Sequence, residues 1–136
     1  MDFRIRTQFT FSASDRKLNR ILESLANEGI AVNGYFQTLV GKRYHFVRMV
    51  VGYTDEVTNH DVPTGRTIME QAEVHYKENQ VIQLLENGAC IPNTFWRHKR
   101  CRALYLGEDN TFYLDVANVS KTIELLSEEN SYRGQD

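Results

Sequence analysis

The sequence predicts an α+β protein, an antiparallel sheet with helices on one face. Residues 3–11 alternate apolar and polar side chains, as a half-buried strand does. Leu18, Ile21, Leu22 and Leu25 form one apolar stripe at helical spacing. Two stretches rich in β-branched and aromatic residues, 30–40 and 44–51, flank a Gly41-Lys42 turn. Together these give the order β-α-β-β.

In the first strand Phe3, Ile5, Phe9 and Phe11 mark the core face, and the polar residues between them face water or a second layer. Ser12-Ala13-Ser14-Asp15 changes the register, because a small hydroxyl residue before an acid can cap a first helical turn. The helix shows Arg16, Lys17, Asn19, Arg20 and Glu23 on its outer face. Gly29 stands where a left-handed C-terminal cap belongs, with Ile30 folding back onto the last turn. Gly34 reads as a bulge in the second strand. The closeness of the strands on either side of Gly41 makes them antiparallel.

Residues 52–66, punctuated by Gly, Pro, Asn and Asp, read as a long loop. A short helix is expected over 67–75. Residues 76–86 fit either short strands or a continued helix, and that choice stays open. Asn87-Gly88 and Pro92-Asn93 mark turns. Residues 100–106 and 111–116 around Gly107-Glu108-Asp109-Asn110 give a hairpin. Asn118 then caps a helix with Val119, Ile123 and Leu126 on one side, and residues 131–136 form a polar, frayed tail.

At 136 residues and 15.8 kDa, with 41% apolar and 25% charged residues, the composition is that of a soluble globular chain. No apolar run approaches the roughly 18 residues of a membrane span, and Met1-Asp2-Phe3-Arg4 does not read as a secretory signal. A net charge of −2 gives no global attraction to nucleic acid or anionic membrane. Cys90 and Cys101 make no disulfide framework, so a cytoplasmic location is expected.

The order β-α-β-β-α-β, with Leu18-x-x-Ile21-Leu22-x-x-Leu25-Ala26-x-x-Gly29-Ile30-x-Val32 and the strand Tyr44 to Val51, resembles an ACT domain, a ferredoxin-like module. The resemblance is best over residues 3–52, and Arg102 to Leu126 looks like the end of such a unit. It implies a single ACT-like domain over 1–130, with a βαββα(β) core over 3–86 and a C-terminal hairpin plus helix over 100–128. It further implies a non-enzymatic regulatory module that binds an amino acid or similar small molecule where two modules pair, hence a homodimer without cofactor. The family's helix start usually carries Pro-Gly. Asp15 and Arg16 stand at those positions here, and the long Arg16 side chain departs from the usual amino-acid site. The ligand region implied comprises Ser12, Ser14, Asp15 and Arg16 with Ile30, Val32 and Asn33.

Other constellations compete with that reading. Trp96, Arg97, His98, Lys99, Arg100 and Arg102 could grip phosphates and stack bases, which would make the chain a protein- or nucleic-acid-binding adaptor. The same stretch also suits a solvated basic strand edge, and nucleic acid is not the favoured partner. Cys90, His98 and Cys101 lack a near fourth ligand, so no metal is expected. Neighbouring His60 and Asp61, with Glu56, could do acid/base work or simply lie in a solvated loop. Tyr35, Phe36, Tyr44, Phe46 and Tyr53 read as core and interface packing rather than a ligand cage. No catalytic constellation is assembled.

Overall fold

The structure, a computed structural model, describes residues 2–56, 58–85 and 101–133, with side chains described as far as Ser127. Among these residues are strands β1 (Phe3–Ser14), β2 (Val32–Val40), β3 (Tyr44–Val51), β4 (Tyr76–Leu84), β5 (Cys101–Leu106) and β6 (Phe112–Val116). The helices are α1 (Asp15–Asn27), α2 (Asp61–Gln71) and α3 (Val119–Arg133). The fold is mixed α+β, its strands hydrogen-bonded in the order β2-β3-β1-β4-β6-β5. The chain divides into two compact units, Arg6–Asn79 and the pair of segments Met1–Ile5 and Gln80–Asp136.

Within Arg6–Asn79 the chain runs β-α-β-β-α-β. Phe9 pairs with Met49 across β1 and β3, and Tyr35 pairs with Met49 across β2 and β3. Phe9, Phe11, Ala13, Val47, Met49 and Val51 therefore share one sheet face, and α1 and α2 cover it with Leu18, Ile21, Leu25, Ile68 and Met69. Ile21 and Leu25 are fully buried, a change worth about 1.5–3 kcal/mol for each side chain. The helical stripe in the sequence is thus the core seam. Ser14 accepts from the Lys17 amide at 3.3 Å and caps α1. At its other end Gly29 adopts φ +72 and Ile30 donates to the Leu25 carbonyl at 2.9 Å. The register shifts between Val32 and Gly34, where the bulge is expected.

Two elements depart from the sequence expectation. The stretch 52–66 is not all loop, and the helix expected over 67–75 instead spans Asp61–Gln71. Pro63 and Gly65 disguised it. Pro63 sits in the first turn, where a missing N–H costs no intrahelical bond. Gly65 is buried against Phe9, whose ring lies 3.2 Å from where a Cβ would stand. The helix closes at Ala72, and Glu73 turns the chain with φ 56. Residues 76–86, open in the sequence, supply the single strand Tyr76–Leu84. Its polar stretch is accommodated by side-chain partners. Arg66 meets Glu78 at 2.8 Å, and Gln8 donates to Asn79 at 3.2 Å. The first strand also runs on to Ser14, past the expected change at Ser12.

In the second unit Ile82, Leu84, Leu114, Val116 and Leu126 form a core joined by Phe3, Ile5, Val119 and Ile123. The β5–β6 hairpin pairs Leu104 with Leu114 and Tyr105 with Tyr113, and the two tyrosine rings stack 5.4 Å apart. Asn118 caps α3 by accepting from the Lys121 amide at 2.9 Å, and the helix extends to Arg133. Among the described residues no helix is long and apolar enough to cross a membrane.

Candidate functional site

Ser12, Ser14, Asp15 and Arg16 lie where β1 passes into α1, beside the start of β3. Ser14 pairs with Tyr44, and Tyr44 in turn with Val40 at the end of β2. Ile30, Val32 and Asn33 lie at the opposite end of β2, where Val32 pairs with Val51. Val40 lies eight residues along the strand from Val32, a span of about 26 Å at the usual rise per residue. Within one chain the structure does not bring the two groups together. Ile30 and Asn33 are buried, whereas Ser12, Asp15 and Arg16 are exposed.

The junction at α1 carries a polar chain that sequence spacing conceals. Tyr35 and Gln37 project from β2 and His45 from β3, on the face that α1 covers. The Tyr35 hydroxyl donates to Gln37 Oε1 at 2.5 Å. That fixes the amide so that its Nε2 donates to His45 Nδ1, 2.9 Å away. His45 Nε2–H is then left to donate to Asp15 Oδ1. His45 is 15% exposed and Asp15 79%, so the chain starts half-buried and ends in solvent. Burial pushes the Tyr35 phenol up from its ordinary value, which keeps it a donor. Asp15 and His45 stand 30 residues apart in sequence, and only pairing of β1 with β3 brings them together.

A second feature lies under the segment after β3. Arg6 is fully buried, and its Nε donates to Asp55 Oδ1 at 2.8 Å. Its Nη2 donates to the carbonyls of Val51 (3.1 Å) and Gly52 (3.0 Å). Asp55 Oδ2 accepts from the Thr7 amide at 2.6 Å. The alternation of β1 marks Arg6 as polar but gives no sign of what covers it. Next to this pair Gly52 adopts φ +74, and a Cβ there would run into the Asp61 carboxylate.

The remaining sequence candidates are dispersed. His60 lines a cavity of about 440 Å³ with Glu28, Thr64 and Gln71, while Glu56 lines another of about 210 Å³ with Asn59 and Arg66. Asp61 faces Gly52, so His60, Asp61 and Glu56 do not converge. Trp96, Arg97, His98, Lys99, Arg100 and Cys90 lie outside the described residues. Arg102 donates from Nη2 to the Val116 carbonyl at 2.9 Å, with Nε 3.4 Å from Asp115 Oδ1. The Cys101 thiol donates to the Ala103 carbonyl at 3.2 Å. Among the described residues no group of three His, Cys, Asp or Glu could hold a metal ion. The aromatics of the β2–β3 hairpin split between faces: Tyr35 packs on the core, and Phe36 and Phe46 flank Arg48 on the other side.

No protein-family model matches the sequence, and comparison with curated proteins finds no match. Solved structures do resemble the fold. Protein BT0572 from Bacteroides thetaiotaomicron is 15% identical, with a TM-score of 0.70 over 94% of this chain and 90% of that one. The ligand-free regulatory subunit of aspartate kinase from Thermus thermophilus is 11% identical, with a TM-score of 0.52 over 85% of each chain. Aspartokinase III of E. coli, solved with lysine and aspartate, is 11% identical with a TM-score of 0.50, over 93% of this chain and 32% of that one. The β-α-β-β-α-β path through Arg6–Asn79, with both helices on one sheet face, is thus the ACT-like arrangement found in aspartate kinase regulatory subunits.

Proposed function

We propose that this chain is a non-enzymatic, ligand-sensing regulatory module of ACT type, which binds an amino acid or a similar small molecule between two copies of itself. The observation that carries the reading is the start of α1. There an exposed Asp15 carboxylate, oriented by His45, directly follows the Ser14 cap, in a fold like that of the regulatory subunits. The exposed carboxylate suits the ammonium group of an amino acid, and the helix start suits its carboxylate. Because Ser12, Ser14, Asp15 and Arg16 stand apart from Ile30, Val32 and Asn33 within one copy, a shared site takes the first group from one copy and the half-buried Val32 edge from its partner, with the buried Ile30 and Asn33 shaping that edge from behind. The fold's likeness to an aspartokinase solved with lysine and aspartate makes those amino acids the first ligands to try.

Calorimetry against the amino-acid panel tests this. The reading predicts saturable heat with at least one member, weakened about tenfold or more by Asp15→Ala, the loss of one charge-assisted hydrogen bond. It also predicts a dimer by sedimentation. Absence of both heat and thermal shift across the panel removes the ligand-sensing reading.

A further inference from the structure

The polar chain Tyr35–Gln37–His45–Asp15 is ordered for a neutral imidazole. His45 Nδ1 accepts from Gln37 Nε2 at 2.9 Å, and its Nε2–H points at the Asp15 carboxylate. Histidine changes charge between about pH 5 and 8, and a proton added to this ring settles on Nδ1. The new N–H would then meet the Gln37 amide donor against donor. At a 15%-exposed position such an unmade hydrogen bond is costly. A way out is built in. The Gln37 carboxamide carries an acceptor on one side and a donor on the other, and the Tyr35 hydroxyl, which donates to Oε1 at 2.5 Å, can equally accept. Turning the carboxamide over gives Nδ1 an acceptor and hands Nε2 to the Tyr35 oxygen, with the outline of the side chain unchanged. Gln37 is exposed, and β2 is an end strand of the sheet. Burial keeps the Tyr35 phenol protonated throughout that range. Opposite His45 in the register stand Ala13 on β1 and Leu39 on β2, both apolar. Of the charged residues at this end, Lys17 Nζ donates to the Glu73 carbonyl at 3.2 Å, and Arg16, Lys42 and Arg43 are exposed.

We propose that one proton on His45 reverses this chain and, by doing so, gates the Asp15 site. In the neutral state Tyr35 donates to Gln37, Gln37 to His45 and His45 to Asp15, and the carboxylate shows its full negative charge to solvent. In the charged state His45 donates in both directions, Gln37 donates to Tyr35, and the Tyr35 hydrogen is released. The contact with Asp15 persists but becomes an ion pair, whose imidazolium offsets the carboxylate and repels a second cation. The ammonium group of a ligand is therefore held firmly while His45 is neutral and weakly once it is charged. The gate rests on the amino-acid reading above; the reversal does not.

Nuclear magnetic resonance of the free chain between about pH 5 and 8 tests the reversal. Neutral His45 is expected as the Nε2–H tautomer, read from its ring nitrogen shifts. The Gln37 side-chain amide and the Tyr35 ζ-carbon should move with the His45 midpoint. Gln37→Leu, at an exposed position, should abolish the Tyr35 response. A neutral Nδ1–H tautomer, a Gln37 amide indifferent to pH, or a Tyr35 response that survives Gln37→Leu overturns the proposal. Calorimetry with lysine and with aspartate tests the gate. Affinity should fall about tenfold from about pH 8 to about pH 5, as one charged contact is offset, and His45→Gln should bind equally at both. Wild-type affinity independent of pH overturns the gate. Heat from neither amino acid at either pH, with the reversal observed, removes the amino-acid reading and the gate with it, while the reversal stands.

Discussion

Arg6 and Asp55 form an ion pair at 2.8 Å in which the guanidinium is wholly buried and the carboxylate is 21% exposed. Three partners of Arg6 lie in or just after the end of β3: the carbonyls of Val51 and Gly52, and Asp55 itself. The pair therefore fastens the segment leading into α2 to the middle of β1. Asp55→Ala takes the carboxylate partner away from a buried cation, and urea denaturation should show a loss of about 3 kcal/mol. The double variant Arg6→Met with Asp55→Ala should recover much of that loss, because an apolar replacement removes the buried charge as well. Equal losses in the single and double variants would mean that the segment is held by something else.

Gly52 is irreplaceable for two separate reasons. Its φ of +74 disfavours any side chain, and a Cβ would strike the Asp61 carboxylate. Gly52→Ala should cost more than about 1 kcal/mol, and Asp61→Ala in the same chain should restore only the steric part. Full restoration would show that backbone strain contributes nothing.

These features show which parts of the molecule are legible in sequence. The stripe Leu18, Ile21, Leu22, Leu25 and the cap at Gly29 are local patterns, and they reappear in place because period and capping act over a few residues. Asn118, Gly34 and the Gly41 turn are legible for the same reason. Helix α2 is not, because Pro63 and Gly65 read as breakers until it is known that one lies in the first turn and the other lies against Phe9. The Arg6–Asp55 pair and the Asp15–His45 contact join residues 49 and 30 positions apart. No periodicity connects such residues; strand order does.

Tyr35 gives the chain a dependence on alkaline pH. Burial raises its phenol above the ordinary 10.0, so the folded state keeps the proton after the unfolded chain has begun to lose it. The contribution is complete below pH 10.0 and declines as pH rises from there through the folded value. Tyr76 adds in the same direction, by burial and then by the neighbouring Glu70 carboxylate. Melting temperatures of the wild type should therefore fall faster above that pH than those of Tyr35→Phe. Parallel pH profiles for the two proteins would contradict the assignment.

The caps can be weighed against each other. Ser14→Ala removes the side-chain acceptor for the Lys17 amide, and Asn118→Ala the acceptor for the Lys121 amide. Each should cost about 1 kcal/mol in chemical denaturation. Ser14 should be the costlier, because the helix it starts places Leu18, Ile21 and Leu25 in the core while its first residue holds His45. A larger loss for Asn118→Ala would reverse that ranking.

The turn at Gly41 has a practical outcome at the bench. Leu39 and Val40, 60% and 53% exposed, occupy the outer strand of the hairpin, with Lys42 and Arg43 beside them. Those two charges are what keep sticky tips from meeting, and dissolved electrolyte weakens such repulsion. Concentrated stocks should accordingly stay clear in dilute buffer and turn cloudy in brine, and replacing Leu39 by glutamine should keep them clear in both.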